Sequence, residues 1–262
     1  MTSDNVATAS EVNKKHRADQ LLVQKGLSPS IEQARRSILA GQVRVGSDHV
    51  VQGANEMILE DAPLHIKAPY PYVSRGADKL LPALDAHLPK LNGLVALDIG
   101  ASTGGFTDLM LQRGASRVYA VDVGTAQLHL KLREDPRVVC MEKTNARHLT
   151  ASDLPQQVDL VTADVSFISL RRILPAAVQL AAEHAWFFLL IKPQFEARRE
   201  EVAKGGVVRD ESIRQRVVDE IVDFAATLGL SNIDLCLSPI RGPKGNQETV
   251  GVFRIASSKS DE

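Results

Sequence analysis

Cysteine is scarce: only Cys140 and Cys236 occur in 262 residues, far apart and outside any metal-ligand spacing. That argues against a disulfide-stapled fold and for a reducing, cytoplasmic setting. The seven histidines form no HxH or HxxxH pair, so no metal site is expected. Long apolar runs are also missing. The longest, Ala185 to Ile191, spans seven residues, against the roughly 20 needed to cross a bilayer, so no membrane association is expected. Residues 1–11 are polar and lack the apolar core of a signal peptide. Net charge is only −1, which excludes a global basic field and confines any nucleic-acid surface to a local patch. What remains is a chain with 44% hydrophobic and 24% charged residues, enough for a real core, and long enough for one large domain or a small and a medium one.

Residues 1–13 and the tail from Ser257 read as disordered, being small, polar and aperiodic. A first unit is expected over residues 14–67. Leu21, Leu22 and Leu27 follow a helical stripe broken near Gly26, and Ser30 and Gln33 have the spacing of a capping box opening a helix that ends at Gly41. Val43, Val45, Val50, Val51 and the stretch from Ile58 to Ile66 suggest short strands. Seven Lys or Arg lie between Lys14 and Arg44 against two acids, Asp19 and Glu32, a local excess that points to RNA contact. Residues 68–72 carry two prolines in three positions and read as a linker.

Residues 73–256 show an α/β rhythm. Strands are expected at 95–99, 117–121, 137–140, 159–163, 186–191, 233–238 and 249–255, and helices at 77–87, 107–113, 125–134, 170–183 and 210–229. Alternating units imply a doubly wound, mostly parallel sheet, and two consecutive final strands imply that it ends in an antiparallel hairpin. Such an ending is like the fold of the S-adenosylmethionine (SAM) dependent methyltransferases, here with a small N-terminal α+β domain expected to bind RNA.

The chain is organised around Asp98-Ile99-Gly100-Ala101-Ser102-Thr103-Gly104-Gly105-Phe106, a strand breaking on glycines into a helix. A phosphate loop needs Gly-Lys-Ser/Thr at this point and a dinucleotide fingerprint needs GxGxxG; neither is present. A SAM site remains, with these residues lying against the cofactor. Asp122 ends the next apolar run and is placed for the ribose hydroxyls, beside Val123, while Asn145 is placed for an adenine edge.

Four charged residues are candidates for a site, each of which taken alone reads equally as a solvated residue at an element's end. Asp164 and Lys192 end two apolar strands, where side chains border the ligand crevice, Lys79 precedes the first strand of the sheet, and Glu248 opens the last. At this point the sequence is similar to a known family. Ser74-Arg75-Gly76, Lys79-Leu80, Gly100 to Asp108, Asp122-Val123-Gly124, Ala163 to Ser169, Lys192-Pro193-Gln194-Phe195-Glu196, Lys204 to Asp210, Gly242 to Asn246 and Glu248 resemble the TlyA family over nearly the whole chain. Thr125-Ala126 stands where that family usually has Tyr-Gly.

The resemblance implies an S-four-type RNA-binding domain joined to an FtsJ-like methyltransferase that uses SAM on a ribose 2′-hydroxyl, a cytidine of ribosomal RNA. It makes Lys79, Asp164, Lys192 and Glu248 the catalytic tetrad. The chemistry asks one lysine to act as base and the other to stabilise alkoxide character, with the carboxylates positioning both; Lys192 is read as the base and Lys79 as the stabiliser, and the exchanged assignment stays open. It makes Asp98, Gly100 to Phe106, Asp122, Val123, Asn145 and Asp164 the cofactor contacts. Arg17, Arg35, Arg36, Arg44 and Arg75 become the RNA contacts. The expected partner is ribosomal RNA or a ribosomal subunit, with a monomer favoured. The competing readings are an RNA-binding assembly protein without catalysis, a base methyltransferase, and a membrane-active hemolysin, a label some family members carry.

Overall fold

A computed structural model describes residues 14–68 and 70–255; the stretches expected to be disordered lie outside them. The chain divides into two compact units between Pro71 and Tyr72, inside the expected linker.

The first unit runs β1 (Lys15–Arg17), α1 (Ala18–Gln24), α2 (Ile31–Leu39), β2 (Val43–Val45), β3 (His49–Val50), β4 (Met57–Leu59) and β5 (Leu64–Ile66). Strand β1 is not visible in the sequence pattern. It pairs antiparallel with β4, and β2 lies between β3 and β5 in a second small sheet. Leu21, Leu22, Ala34, Ile38, Val43 and Ile58 form the core. Ser30 caps α2 by accepting from the Gln33 amide at 3.2 Å, but among the described residues the Gln33 side chain makes no return bond, so the capping box is half formed.

Asp19 is fully buried beneath this surface. Arg17 donates to both of its oxygens at 3.0 and 2.9 Å, and Arg35 donates to Oδ2 at 2.8 Å. The Arg17 hydrogen bonds, with Arg35 beside them, hold the Asp19 carboxyl down at about 2.

The second unit runs α3 (Ala77–His87), β6 (Val95–Ile99), α4 (Gly105–Gln112), β7 (Arg117–Val121), α5 (Leu130–Arg133), β8 (Val138–Met141), β9 (Val158–Ala163), α6 (Leu174–Leu180), β10 (Ala181–Ile191), α7 (Pro193–Glu196), α8 (Glu211–Thr227), β11 (Leu230–Leu237) and β12 (Thr249–Ile255). The seven strands are ordered β11-β12-β10-β9-β6-β7-β8, with β12 antiparallel to both neighbours and the other pairs parallel. Side chains alternate across the sheet with period two. Leu97, Ile99, Tyr119, Val121, Phe187 and Leu189 pack toward α6 and α8, and Ala96, Val118, Ala120, Phe188 and Leu190 toward α3 and α4.

Two helices are shorter than their sequence pattern suggests. The one expected at 125–134 is helical only over Leu130–Arg133, because Glu142 draws the Ala126, Gln127 and Leu128 amides out of helical pairing. The one expected at 170–183 is a 3₁₀ turn followed by Leu174–Leu180, because Ala181 pairs with Val158 and begins β10.

The Asp19 cluster sets a pH dependence. A folded value of about 2 lies below the usual carboxylate value, so its contribution to stability is complete above about pH 4 and is lost as pH falls from there toward 2. Wild type is expected to lose thermal stability in that window more steeply than Asp19→Asn. At neutral pH Asp19→Ala should cost on the order of 2 kcal/mol in denaturant unfolding.

Candidate active site

Strand registers dictate which residues meet. Ile99 lies opposite Ala163, Ala163 opposite Leu189, and Ile191 opposite Thr249. The residues that follow or precede them, Gly100, Asp164, Lys192 and Glu248, therefore emerge along one edge of the sheet, the carboxyl ends of its parallel strands. Gly100 has φ +81, and a Cβ there would stand 2.7 Å from the Asp164 carbonyl oxygen. Only glycine lets the β6 and β9 ends approach this closely.

Lys79 arrives from the first turns of α3. Its Nζ lies 2.8 Å from Glu248 Oε2 and 3.6 Å from Asp164 Oδ2. Lys192 Nζ pairs with Asp164 Oδ1 and donates to Ser166 Oγ at 3.0 Å. Asp164 thus bridges the two lysines, and the four groups form one continuous ion-pair chain. Glu248 is fully buried, and its Oε2 accepts no aligned hydrogen bond, so its hold on Lys79 is Coulombic rather than directional. Gln194 Nε2 approaches Glu248 Oε1 at 3.5 Å, and Gln194 Oε1 is buried without a donor.

Two cavities meet at this edge. The smaller, about 220 Å³, is lined by Lys79, Lys192, Asp164 and Asp98, with Ala101, Ser102, Thr103, Gly105 and Phe106 from the glycine turn. The larger, about 380 Å³, is lined by Asp122, Val123, Asn145, Gln127 and Phe167 among others. Gly100, Ser102, Asp164 and Ser166 border both, so the two are lobes of one crevice.

Asp122 accepts from the Ser102 amide at 2.8 Å and the Gly124 amide at 2.7 Å, which fixes its carboxylate at the wall of the larger lobe. Asn145 uses Oδ1 to accept from Arg147, and its Nδ2 makes no bond among the described residues. Asp98 is enclosed, accepting from the Thr107 hydroxyl at 2.6 Å and the Thr162 hydroxyl at 2.9 Å. Burial, with the Asp164 charge adding to it, pushes its carboxyl up to about 6.

Gly104 stands apart from the other turn residues. It lines neither lobe, and a Cβ there would strike Leu132 Cδ1 at 2.2 Å. The close approach of α5 requires a glycine there.

The arginines expected to meet RNA divide. Arg17 and Arg35 are tied to Asp19, and Arg36 is paired with Glu32 at 2.6 Å. Arg44 and Arg75 have no carboxylate partner among the described residues, and Arg75 is exposed. For metals, His87, Asp234 and Cys236 bring ligand-type atoms within 4.8 Å of one another. They satisfy one another there, His87 Nε2 and Cys236 Sγ both lying in hydrogen-bond range of Asp234 Oδ2.

Sequence reasoning did not single out Ser166, Phe167 or Gln194, although all three lie within motifs it used. Phe167 is 91% exposed, has φ +64 and stacks its ring at a tilt 5.2 Å from Phe195. Its exposure depends on that backbone conformation, which no residue pattern announces.

The loop before α5 carries a further strain. Ala126 has φ +53, the left-handed region that disfavours a Cβ, at the position where the resembled family has glycine. Ala126→Gly is expected to stabilise the protein by about 0.5–1 kcal/mol, the relieved strain being partly offset by unfolded-chain entropy. Gly100→Ala should destabilise it by about 2–4 kcal/mol. Urea midpoints should move in opposite directions for the two variants.

Residues 72–254 match the model of the FtsJ-like methyltransferases. The 16S/23S rRNA (cytidine-2′-O)-methyltransferase TlyA of Mycobacterium tuberculosis is 44% identical over 236 residues, covering 90% of this chain and 88% of that protein. Hemolysin A of Brachyspira hyodysenteriae is 37% identical over 240 residues, 91% of this chain and all of that one. A solved structure described as a hemolysin from Streptococcus thermophilus superposes with a TM-score of 0.71 at 41% identity, covering 94% of this chain and 90% of that chain. Among the described residues no helix is long and apolar enough to cross a membrane. With the sheet order, the glycine turn and the matched relatives in agreement, the chain belongs to the FtsJ-like methyltransferase family, in the group that includes TlyA.

Proposed function

We propose that the protein transfers a methyl group from SAM to the ribose 2′-hydroxyl of a cytidine in ribosomal RNA. The observation that carries this reading is the chain Glu248–Lys79–Asp164–Lys192 lining the smaller lobe of a crevice whose larger lobe suits a nucleoside.

The donor set fits the cofactor. Asp122 offers the remaining lone pairs of a prepositioned carboxylate to a ribose diol, and Asn145 Nδ2 offers a donor to a purine nitrogen. Val121, Val123, Ala146, Ile168 and Ile173 provide apolar walls for a flat ring. Asp98, a buried carboxylate with no cation partner among the described residues, is compensated when a positively charged amino-acid portion lies in the smaller lobe. Bound SAM supplies an electrophilic methyl group on a sulfonium.

The protein's part is to present an oxygen nucleophile in line with that methyl. A ribose hydroxyl is a weak acid, and it needs its proton accepted or its developing charge stabilised. Lys192, an ammonium held between Asp164 and Ser166 before the RNA enters, must first give its own proton to solvent and then, as the neutral amine, accepts the hydroxyl proton in this reading. Lys79, held by Glu248 and Asp164, stabilises the oxygen as charge grows. The carboxylates keep two close ammonium groups from repelling each other, so both remain in place before the RNA enters. Orientation supplies the larger share, roughly 7–11 kcal/mol for well-placed reactants. Phe167, exposed at the mouth of the crevice, offers a stacking face to the target base, whose edge is otherwise unread once it leaves its helix. The relative's printed activity supports ribosomal RNA and cytidine as the substrate, and the first unit is the RNA-holding part in this reading.

Mapping 2′-O-methyl groups on ribosomal RNA, with and without the protein, tests the assignment; an unchanged map would overturn it. Lys192→Ala should reduce transfer by about 10³-fold while SAM still binds by calorimetry. Turnover near wild type in that variant would remove the tetrad from the mechanism.

A further inference from the structure

Two loops beside the tetrad carry a charge pattern that the proposed chemistry has not used. Residues 202–209 and 239–247 hold Lys204, Arg209, Arg241 and Lys244 and no carboxylate. All four cations are exposed, and none is paired with an acid among the described residues. In a chain of net charge −1, and with three arginines of the first unit already engaged by Asp19 and Glu32, these four cations are a local positive excess, bounded in sequence by Glu201, Asp210 and Glu248.

The loops are built, not merely charged. In the first, Ala203 bridges Val207 and the Gly206 amide donates to the Ala203 carbonyl at 2.9 Å, around glycines at φ +99 and +81. In the second, Gly242 donates to the Asn246 carbonyl at 3.0 Å and Gly245 to the Gly242 carbonyl at 2.8 Å. Asn246, only 2% exposed, joins them. Its Oδ1 accepts from the Val208 amide at 2.9 Å, and its Nδ2 donates to the Gly206 carbonyl at 2.8 Å. A buried amide whose polar atoms read another loop's backbone fixes the spacing between the two tips.

The pair is continuous with the site. Pro243 lines the smaller lobe together with Lys79 and Lys192. Gly242 packs so closely on Glu248 that a Cβ would come within 2.5 Å of Oε1. A backbone seated on the loops therefore leads straight to the tetrad.

We infer that loops 202–209 and 239–247, stapled by Asn246, form a clamp for the phosphates of the RNA strand that delivers its ribose to the tetrad. The inference rests on the RNA-methylation reading. Lys204, Arg209, Arg241 and Lys244 are the phosphate contacts, and Asn246 is the positioning residue that holds them in register. Such contacts position without reading sequence, so the clamp serves any target base that the rest of the site accepts.

The test is filter binding of in vitro transcribed small-subunit ribosomal RNA to the full chain over a salt series, with methyl transfer measured in parallel. Each lost phosphate contact lowers the log–log salt slope by about 0.7–0.9. Lys204→Ala/Lys244→Ala is expected to raise Kd roughly tenfold and flatten the slope by about 1.5. Asn246→Ala, which removes no charge, should also raise Kd and flatten the slope by about 1. Should Asn246→Ala fail to fold, the double lysine variant alone decides. A double variant with wild-type Kd and slope overturns the clamp, even if methylation proceeds. A wild type that binds RNA with the expected slope but methylates nothing overturns the reaction and leaves the clamp standing.

Discussion

One carboxylate shared between two ammonium groups governs the architecture of the site. Asp164 sends one oxygen to each lysine, and neither lysine is solvated enough to stand there alone. Removing water from a charge costs several kcal/mol unless an opposite charge takes its place. With two lysines, one carboxylate leaves a surplus of one, and Glu248 cancels it from the far side of Lys79. The set is therefore close to neutral as a unit but intolerant of losing a member. It is preorganised for the same reason, because each group is fixed by the ones beside it and none has to move when a hydroxyl enters.

That neutral set can exist only because four separate chain segments end level with one another. The parallel registers of β6, β9 and β10 bring Gly100, Asp164 and Lys192 to one edge, and the reversed direction of β12 adds Glu248 by its start rather than its end. A parallel final strand would present the residue after Ile255 at this edge. The antiparallel strand is thus a functional requirement of the site. Gly100 imposes the matching requirement at the other lobe, since its missing side chain lets the glycine turn lie against the Asp164 backbone. Through these contacts the nucleoside lobe and the lysine lobe share their walls, which fixes how a cofactor spanning both would meet the nucleophile.

Much of this was legible in the chain. Strands β6, β7 and β12 and helix α3 fall where apolar periodicity and glycine breaks place them, because a buried central strand leaves the pattern little freedom. Lys192 stood out as an abrupt cation after an apolar strand, and Asp164 ended its neighbour. Lys79 and Glu248 were less legible, since one sits on a helix and the other opens a strand, and only the resemblance joined them to the pair. The misses have local causes. Glu142, a distant residue, captures three amides and cancels the start of α5. Strand β1 has three residues with no alternation to detect, and forms because β4 offers it an edge. Ser166 and Phe167 owe their placement to a backbone turn after β9, a property of conformation rather than of composition.

Charge shows the same contrast between inventory and placement. Counting along the sequence points to the first unit as the basic one, and three of its arginines prove to be engaged with carboxylates. Arg17 and Arg35 hold the fold together through Asp19, so part of what counting assigns to ligand attraction is spent internally. The loops at 202–209 and 239–247 look unremarkable by count, four cations among glycines and prolines, yet every one of those charges reaches solvent without an acid partner among the described residues. A polyanion responds to potential at the surface and not to residue totals. On that ground the clamp proposed for these loops adds an attraction beside the four-residue set to whatever hold the first unit supplies, and a near-neutral chain suffices for it.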